Sequence, residues 1–347
     1  MRILKSKIQI AITITLIGLV FGLTCLIYIL RPPLWGFIDR NGKVVVSPDF
    51  ENAFSGFSGQ PEWPALVKQN GRWQYVDRTG RRVIDQTFSK SQFEVAPKEA
   101  PSEKNDFASE FQGGFAKVRM NGRIGIIDKK GTVTYSEDSA MQDPFTIYSE
   151  GLARVRNKDG RYGYQDKQGN VVIAPQFFFA EDFREGLAKV QTRNGIGFID
   201  KSGKIAIQEI YEDASYFTEG LAPVCKNKLW GYIDKTGKIL IPPQFSNATN
   251  FSEGLAYVNL RKIENGHDIL KWAYIDKTGH FVIGPRDTDG YWELSNWYPM
   301  CTEFSEGLAA VHHLGHYGYI NKTGDWVIEP QFSRPGRFSD GIAIVRF

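Results

Sequence analysis

An all-β repeat protein is what the sequence predicts, on three observations: a unit that recurs from residue 35 to the end, β-rich runs bounded by Gly, Pro or Asn within each unit, and 35 glycines that indicate many turns rather than long helices. The clearest copy reads Trp230-Gly231-Tyr232-Ile233-Asp234-Lys235-Thr236-Gly237-Lys238-Ile239-Leu240-Ile241-Pro242-Pro243-Gln244-Phe245, followed by Phe251-Ser252-Glu253-Gly254-Leu255-Ala256-Tyr257-Val258. With 347 residues, 42% hydrophobic and 14% aromatic, the chain can bury a large core.

Each unit supplies three strands, seen in this copy as Leu255 to Val258, Trp230 to Asp234 and Lys238 to Ile241. Asp234-Lys235-Thr236-Gly237 joins the last two as a tight hairpin, because the Asp side chain bonds turn amides and Gly accepts positive φ. Alternation sets Trp230, Tyr232 and Asp234 on one face, and Gly231 and Ile233 on the other. The expectation is that the rings of one sheet sit on the glycine of the next.

Taken in order, residues 1–7 form a basic tail with Arg2, Lys5 and Lys7, and residues 8–30 a mostly apolar run of 23 residues, long enough for a helix to cross a bilayer. The run is longer than a signal-peptide core and lacks a small-x-small cleavage site, so the reading is an uncleaved signal-anchor. Cys25 follows Gly22-Leu23-Thr24, a poor lipoprotein box. The short basic N-terminus favours that end inside and the repeats outside, which places the protein in the cytoplasmic membrane as a single-pass chain. Residues 31–34 are a linker in which Pro32 and Pro33 end the helix. Residues 35–347 are the repeat domain. Residues 1–34 contain no acid, and once Arg2, Lys5, Lys7 and Arg31 are set aside the rest of the 42 basic residues nearly balance the 39 acidic ones. No nucleic-acid footprint is present.

The turn residue marks the register: Asp39, Asp77, Asp128, Asp166, Asp200, Asp234, Asp276 and, altered, Asn321. These define eight units with a minimum spacing of 34 residues and variable insertions. A second half-motif, Glu-Gly-Leu-Ala, begins at Glu150, Glu185, Glu219, Glu253 and Glu306, with weaker copies at Gly114-Phe115-Ala116 and Asp340-Gly341-Ile342-Ala343. On these residues, together with Trp35-Gly36, Trp230-Gly231, Tyr162-Gly163, Tyr317-Gly318 and Pro-Gln-Phe at 175–177, 243–245 and 330–332, the chain resembles bacterial WG-repeat proteins. Trp73-Gln74 and Trp272-Ala273 lose the Gly, and Ile124-Gly125 loses the ring. The resemblance implies a β-structured repeat scaffold with no shared catalytic residues to carry over.

Each turn Asp and each Glu before Gly reads as a turn residue rather than as an acid–base or metal group. His312-His313-Leu314-Gly315-His316 is the only histidine cluster, but adjacent strand residues point to opposite faces, so no metal is assigned. Cys225 and Cys301 read as unpaired structural thiols. No nucleophile elbow, P-loop, zincin motif or dinucleotide fingerprint occurs, so neither a catalytic set nor a cofactor is assigned.

Three insertions break the period. Residues 89–110 read as a polar surface loop, residues 261–271 lengthen the turn before Trp272, and residues 286–300 set aromatics among polar groups. In the last, Tyr291, Trp292, Asn296, Trp297 and Tyr298 are the best local candidates for gripping a sugar ring or a peptide. The alternative is that these rings cover the sheet edges of their own unit.

The chain enters the repeats at a second strand, Trp35 to Asp39, and ends on a first strand, Gly341 to Phe347. The strand missing at one end is the surplus strand at the other. A closed β-propeller of about eight small three-stranded blades follows, with an open β-solenoid as the alternative. The functional expectation is a membrane-anchored, non-catalytic module that recognises a protein or an envelope glycan. The alternative is an envelope hydrolase or lyase with its site in the central channel.

Overall fold

The computed structural model describes residues 34–53, 63–91, 106–111, 114–120, 123–135, 148–264, 267–287 and 301–347. These fold as strands and turns in eight sheets, one for each unit read from the sequence. Unit six shows the pattern: Asp213–Ala214, Leu221–Lys226, Leu229–Asp234 and Ile239–Phe245 lie side by side in that order, all antiparallel. The tail, the 8–30 run and the linker through Pro33 lie outside the described residues. No helix among the described residues is long and apolar enough to cross a membrane.

The expected three strands per unit need correcting. The described sheets hold three to five strands, because a two-residue strand often precedes the first long one. These short strands are Asn52–Ala53, Phe107–Ala108, Phe179–Ala180, Asp213–Ala214 and Asn247–Ala248. Each pairs with the far end of its unit's first long strand, as in Ala214↔Val224 and Ala248↔Val258. Two residues carry no period for sequence reasoning to detect. Their signal was the recurring alanine, buried in all five copies because a neighbouring sheet packs on it.

Alternation along the second strand holds. Tyr232 joins the apolar cluster shared with unit seven, and Ile233 the cluster shared with unit five, so both faces are covered. The glycine between them has a different cause from the one expected. A Cβ on Gly231 would lie 2.5 Å from the Ile241 carbonyl oxygen and 2.6 Å from the Pro243 nitrogen, which belong to the third strand of its own sheet. The third strand bulges there, and the register slips between Trp230↔Phe245 and Tyr232↔Ile241. Gly163, Gly197 and Gly318 meet the same carbonyl at 2.3 to 2.5 Å. Where the glycine is lost the third strand changes. Beside Trp73-Gln74 it shrinks to isolated bridges at Arg82 and Phe88, and beside Ala273 it carries its own glycine, Gly284, at φ +84°.

Neighbouring sheets are latched in one recurring way. The ring at the third position of the second strand packs on a buried Phe from the next unit, with centroids 4.8 to 5.0 Å apart in six copies, Tyr232–Phe251 among them. Where that ring is Tyr its hydroxyl also donates to a backbone carbonyl of the next unit: Tyr75 to Ser109, Tyr164 to Glu181, Tyr232 to Thr249, Tyr274 to Thr302 and Tyr319 to Gly336. A buried hydroxyl thereby finds the partner it needs, and each carbonyl is satisfied.

The first and last strands of the repeat domain share one sheet. Ile342–Arg346 pairs antiparallel with Trp35–Asp39, in the register Trp35↔Arg346, Phe37↔Ile344 and Asp39↔Ile342. Val44–Phe50 completes that sheet on its other side. Unit one consequently packs on unit eight through Ile38, Ala343, Val345 and Phe338, and on unit two through Phe37, Phe50 and Ile344. Seven apolar clusters among the described residues thus link units four through eight, then one, two and three in succession.

Candidate interaction surface

Every unit has two ends. At one lie the Asp turn and the Glu-Gly turn, since Leu187↔Asp200 and Leu221↔Asp234 are paired. At the other, in units two to eight, lies the hairpin tip that joins the first long strand to the second.

At the turn end the marker residues do what the sequence indicated. One side-chain oxygen of Asp39, Asp77, Asp128, Asp166, Asp200, Asp234, Asp276 and Asn321 accepts the amides two and four residues on, as Asp234 Oδ1 does from Thr236 at 2.8 Å and Lys238 at 3.1 Å. The Thr236 hydroxyl adds a bond of 2.6 Å and is the chief cause holding the Asp234 carboxyl below its usual range, against desolvation. Ser202 does the same for Asp200 and Thr278 for Asp276.

The Glu residues are turn residues as expected, and more. Glu150, Glu185, Glu219, Glu253, Glu306 and Asp340 all have φ of 52° to 54°, and each is followed by a glycine of positive φ. Two such residues in succession form the primed turn that suits a two-residue hairpin, closed here by paired amides such as Thr218 and Leu221. The carboxylate then reaches out of its own unit. Glu150, Glu185, Glu219, Glu253 and Glu306 accept the amide of the corresponding glycine one unit on, at 2.9 to 3.1 Å. Four of them also pair with the lysine that follows the next unit's turn Asp or Asn: Glu150–Lys201, Glu185–Lys235, Glu219–Lys277 and Glu253–Lys322, at 3.0 to 3.1 Å. Arg78–Asp340, at 3.4 Å, repeats this between units one and two. Partial burial raises the Glu150 pKa, but the bond from Lys201 and the Gly186 amide outweigh it and hold the carboxyl below its usual range. Sequence reasoning missed these ties, although a cation follows every turn Asp or Asn: Arg40, Arg78, Lys129, Lys167, Lys201, Lys235, Lys277 and Lys322.

At the tip end the insertion at 261–271 proves to be paired structure, Ala256–Glu264 against His267–Ile275, rather than a longer loop. His312 packs edge-on against Tyr317 and His313 lies tilted against Trp326, so the adjacent histidines have different ring partners. No group of three or more His, Cys, Asp or Glu among the described residues could hold a metal ion. Cys225 and Cys301 are free and buried, and burial pushes both thiols up, as for inert structural cysteine. Trp35, Trp73 and Trp272 are buried, while Trp230 packs half-buried on the cluster shared with unit seven. Tyr291, Trp292, Asn296, Trp297 and Tyr298 lie outside the described residues.

No curated protein matches the chain in sequence. Among solved structures, one titled as the eukaryotic initiation factor is similar at 13% identity and a TM-score of 0.43, covering 85% of this chain and 95% of that one. Apo AztD from Citrobacter koseri is similar at 14% identity and a TM-score of 0.42, covering 91% and 99%. The family model described as "WG containing repeat" matches residues 35–73, 162–195, 196–230, 230–262 and 317–347, spans that hold Trp-Gly or its degenerate forms beside the bulged third strand. The chain belongs to the WG-repeat family.

Proposed function

We propose that the repeats close into an eight-bladed β-propeller that serves as a non-catalytic recognition or scaffolding module. In this reading residues 8–30 hold it at the cytoplasmic membrane with the repeats on the extracytoplasmic side, and its partner is a protein or an envelope glycan. The pairing of Ile342–Arg346 with Trp35–Asp39 supports closure, because it sets unit one between units eight and two. Closure then requires unit three to meet unit four.

The observation that carries the functional reading is how the repeated polar groups are used. The turn Asp and Asn residues bond their own turns, and the Glu carboxylates tie one sheet to the next. Recognition then falls to the segments that break the period, of which residues 286–300 hold the densest aromatic set. The test captures partners from envelope proteins and glycans with the full chain and with the variant Trp292→Ala/Trp297→Ala. Lost capture at an unchanged thermal midpoint supports the reading, whereas undiminished capture removes the insertion from it. Protease added to intact spheroplasts is expected to digest the repeats, and protection until lysis would reverse the orientation.

A further inference from the structure

We infer that the hairpin-tip end of the sheets is a membrane-facing surface that binds anionic phospholipid headgroups. The inference rests on the anchoring proposed above and adds to it which end of the domain meets the bilayer, and by what chemistry.

Placement comes first. The chain enters the domain at Leu34, whose carbonyl accepts the Phe347 amide, beside the pair Trp35↔Arg346. In units two to eight that position is a hairpin tip. The Glu-to-glycine ties join the turn ends of units four through eight and one side by side, and Arg78–Asp340 adds unit two. The tip ends of those units therefore lie together on the side from which the chain leaves toward residue 30. Leu30 is four residues from Leu34, so the linker can separate this end from the apolar run by at most about 14 Å. That is close to the ~8–10 Å over which a charged surface acts at physiological salt.

The two ends differ in how their cations are partnered. At the turn end lysines are matched by carboxylates, as in Lys201–Glu150, Lys235–Glu185, Lys277–Glu219 and Lys322–Glu253. At the tips Arg72, Lys158, Arg193, Lys226 and Lys228 are exposed, and none forms an ion pair among the described residues. Arg72 bonds Thr87. The carboxylates on this side include Asp159, within the unit-four tip, Asp213 opposite Cys225, Glu209 beside Gly195, Glu264 in the unit-seven tip, Asp287, which pairs with Lys271 at 3.0 Å, and Glu51 and Glu212, which accept the amides of Gly71, Asn227 and Lys228. Apolar groups stand among the cations: Phe178 and Phe179, 44% and 39% exposed, beside the unit-five tip, and Leu229, 40% exposed, in the unit-six tip. Basic side chains interleaved with exposed rings and leucine suit the layer where lipid phosphates meet acyl chains. Lipid is favoured over a soluble polyanion because the linker already delivers this end to the bilayer.

The test uses the full chain carrying Cys25→Ser, labelled with a fluorophore at Asn194→Cys on a tip or at Lys238→Cys at the opposite end. It is reconstituted with vesicles of phosphatidylcholine alone or with phosphatidylglycerol added, both doped with a headgroup-level quencher. The chain is expected to float with both vesicles. Quenching at position 194 should rise with phosphatidylglycerol, and contact should weaken by at least about fivefold for each cation reversed in Lys226→Glu/Lys228→Glu. Added salt should weaken it in the unmutated tips as well, which keeps the test independent of whether that variant folds. Quenching at 194 that ignores lipid charge, or stronger quenching at 238, overturns the inference. Flotation only with phosphatidylglycerol supports the surface and removes the anchor, and flotation with neither removes both.

Discussion

Asp234 and its counterparts each hold one side-chain oxygen where two amides and, in several units, a hydroxyl converge, and that bonding is to the ionised form. The sign of the pH dependence follows. Asp166, Asp200, Asp234 and Asp276 have folded pKa values below their unfolded values of about 3.9. Their contribution is complete above that unfolded value and is lost as the pH falls through the lower folded one. The thermal midpoint should therefore drop below pH 4. Asp234→Asn should drop less over the same range, because the amide oxygen keeps both turn bonds, as Asn321 does with Thr323 and Asp325. Melting curves at pH 6 and pH 3 test this, and an equal drop in both proteins would contradict it. Glu219, at φ 52° in its primed turn, adds a tie between sheets through Gly254 and Lys277. Glu219→Ala should destabilise by about 1–2 kcal/mol, and Glu219→Gln, which retains an acceptor, by about half as much; denaturant midpoints measure both. The turn role of these residues was legible because it depends on neighbours two to four positions away. The carboxylate's second partner was not, because Gly254 lies 35 residues on and is reached only when two sheets stack.

Within one sheet, the glycine of Trp-Gly exists for the bulge of the third strand. Gly231→Ala puts a methyl group against backbone atoms that cannot turn aside, so a loss of about 2–3 kcal/mol is expected. Unit seven suggests the remedy, since Ala273 is accommodated there opposite Gly284, the counterpart of Pro242. Gly231→Ala/Pro242→Gly should therefore recover part of the loss in the same unfolding experiment. If the double variant is no more stable than the sum of its singles, the bulge is not the reason for the glycine. The sequence showed that a ring and a bare backbone alternate along this strand, which fixes the faces. It did not show which strand fills the bare side, because the bulge shifts the pairing by a step that a regular period conceals. The two-residue strands escaped for a related reason: Asp213–Ala214 and Asn247–Ala248 are too short to alternate, and only the buried alanine repeats.

For the molecule as a whole, the eight units and the sharing of one sheet by the first and last strands of the repeats were legible, because a lone second strand at the start of the repeats matched a lone first strand at their end. The proposed ring depends on that shared sheet, and a cross-link reports it directly. Since the Phe347 amide bonds the Leu34 carbonyl, pairing alternates so that Phe37↔Ile344 is a position without cross-strand hydrogen bonds. Its Cα atoms lie roughly 4.5 Å apart, inside the range of about 4.4–6.8 Å that a disulfide spans. The decisive measurement is the yield of intramolecular disulfide in Phe37→Cys/Ile344→Cys under mild oxidation, read on the monomer after a single internal cut. The expected result is high yield, with the two halves joined until reductant is added. Failure to join at 37/344 and at the equivalent pair 35/346, in protein that remains folded, would contradict the shared sheet and the ring with it.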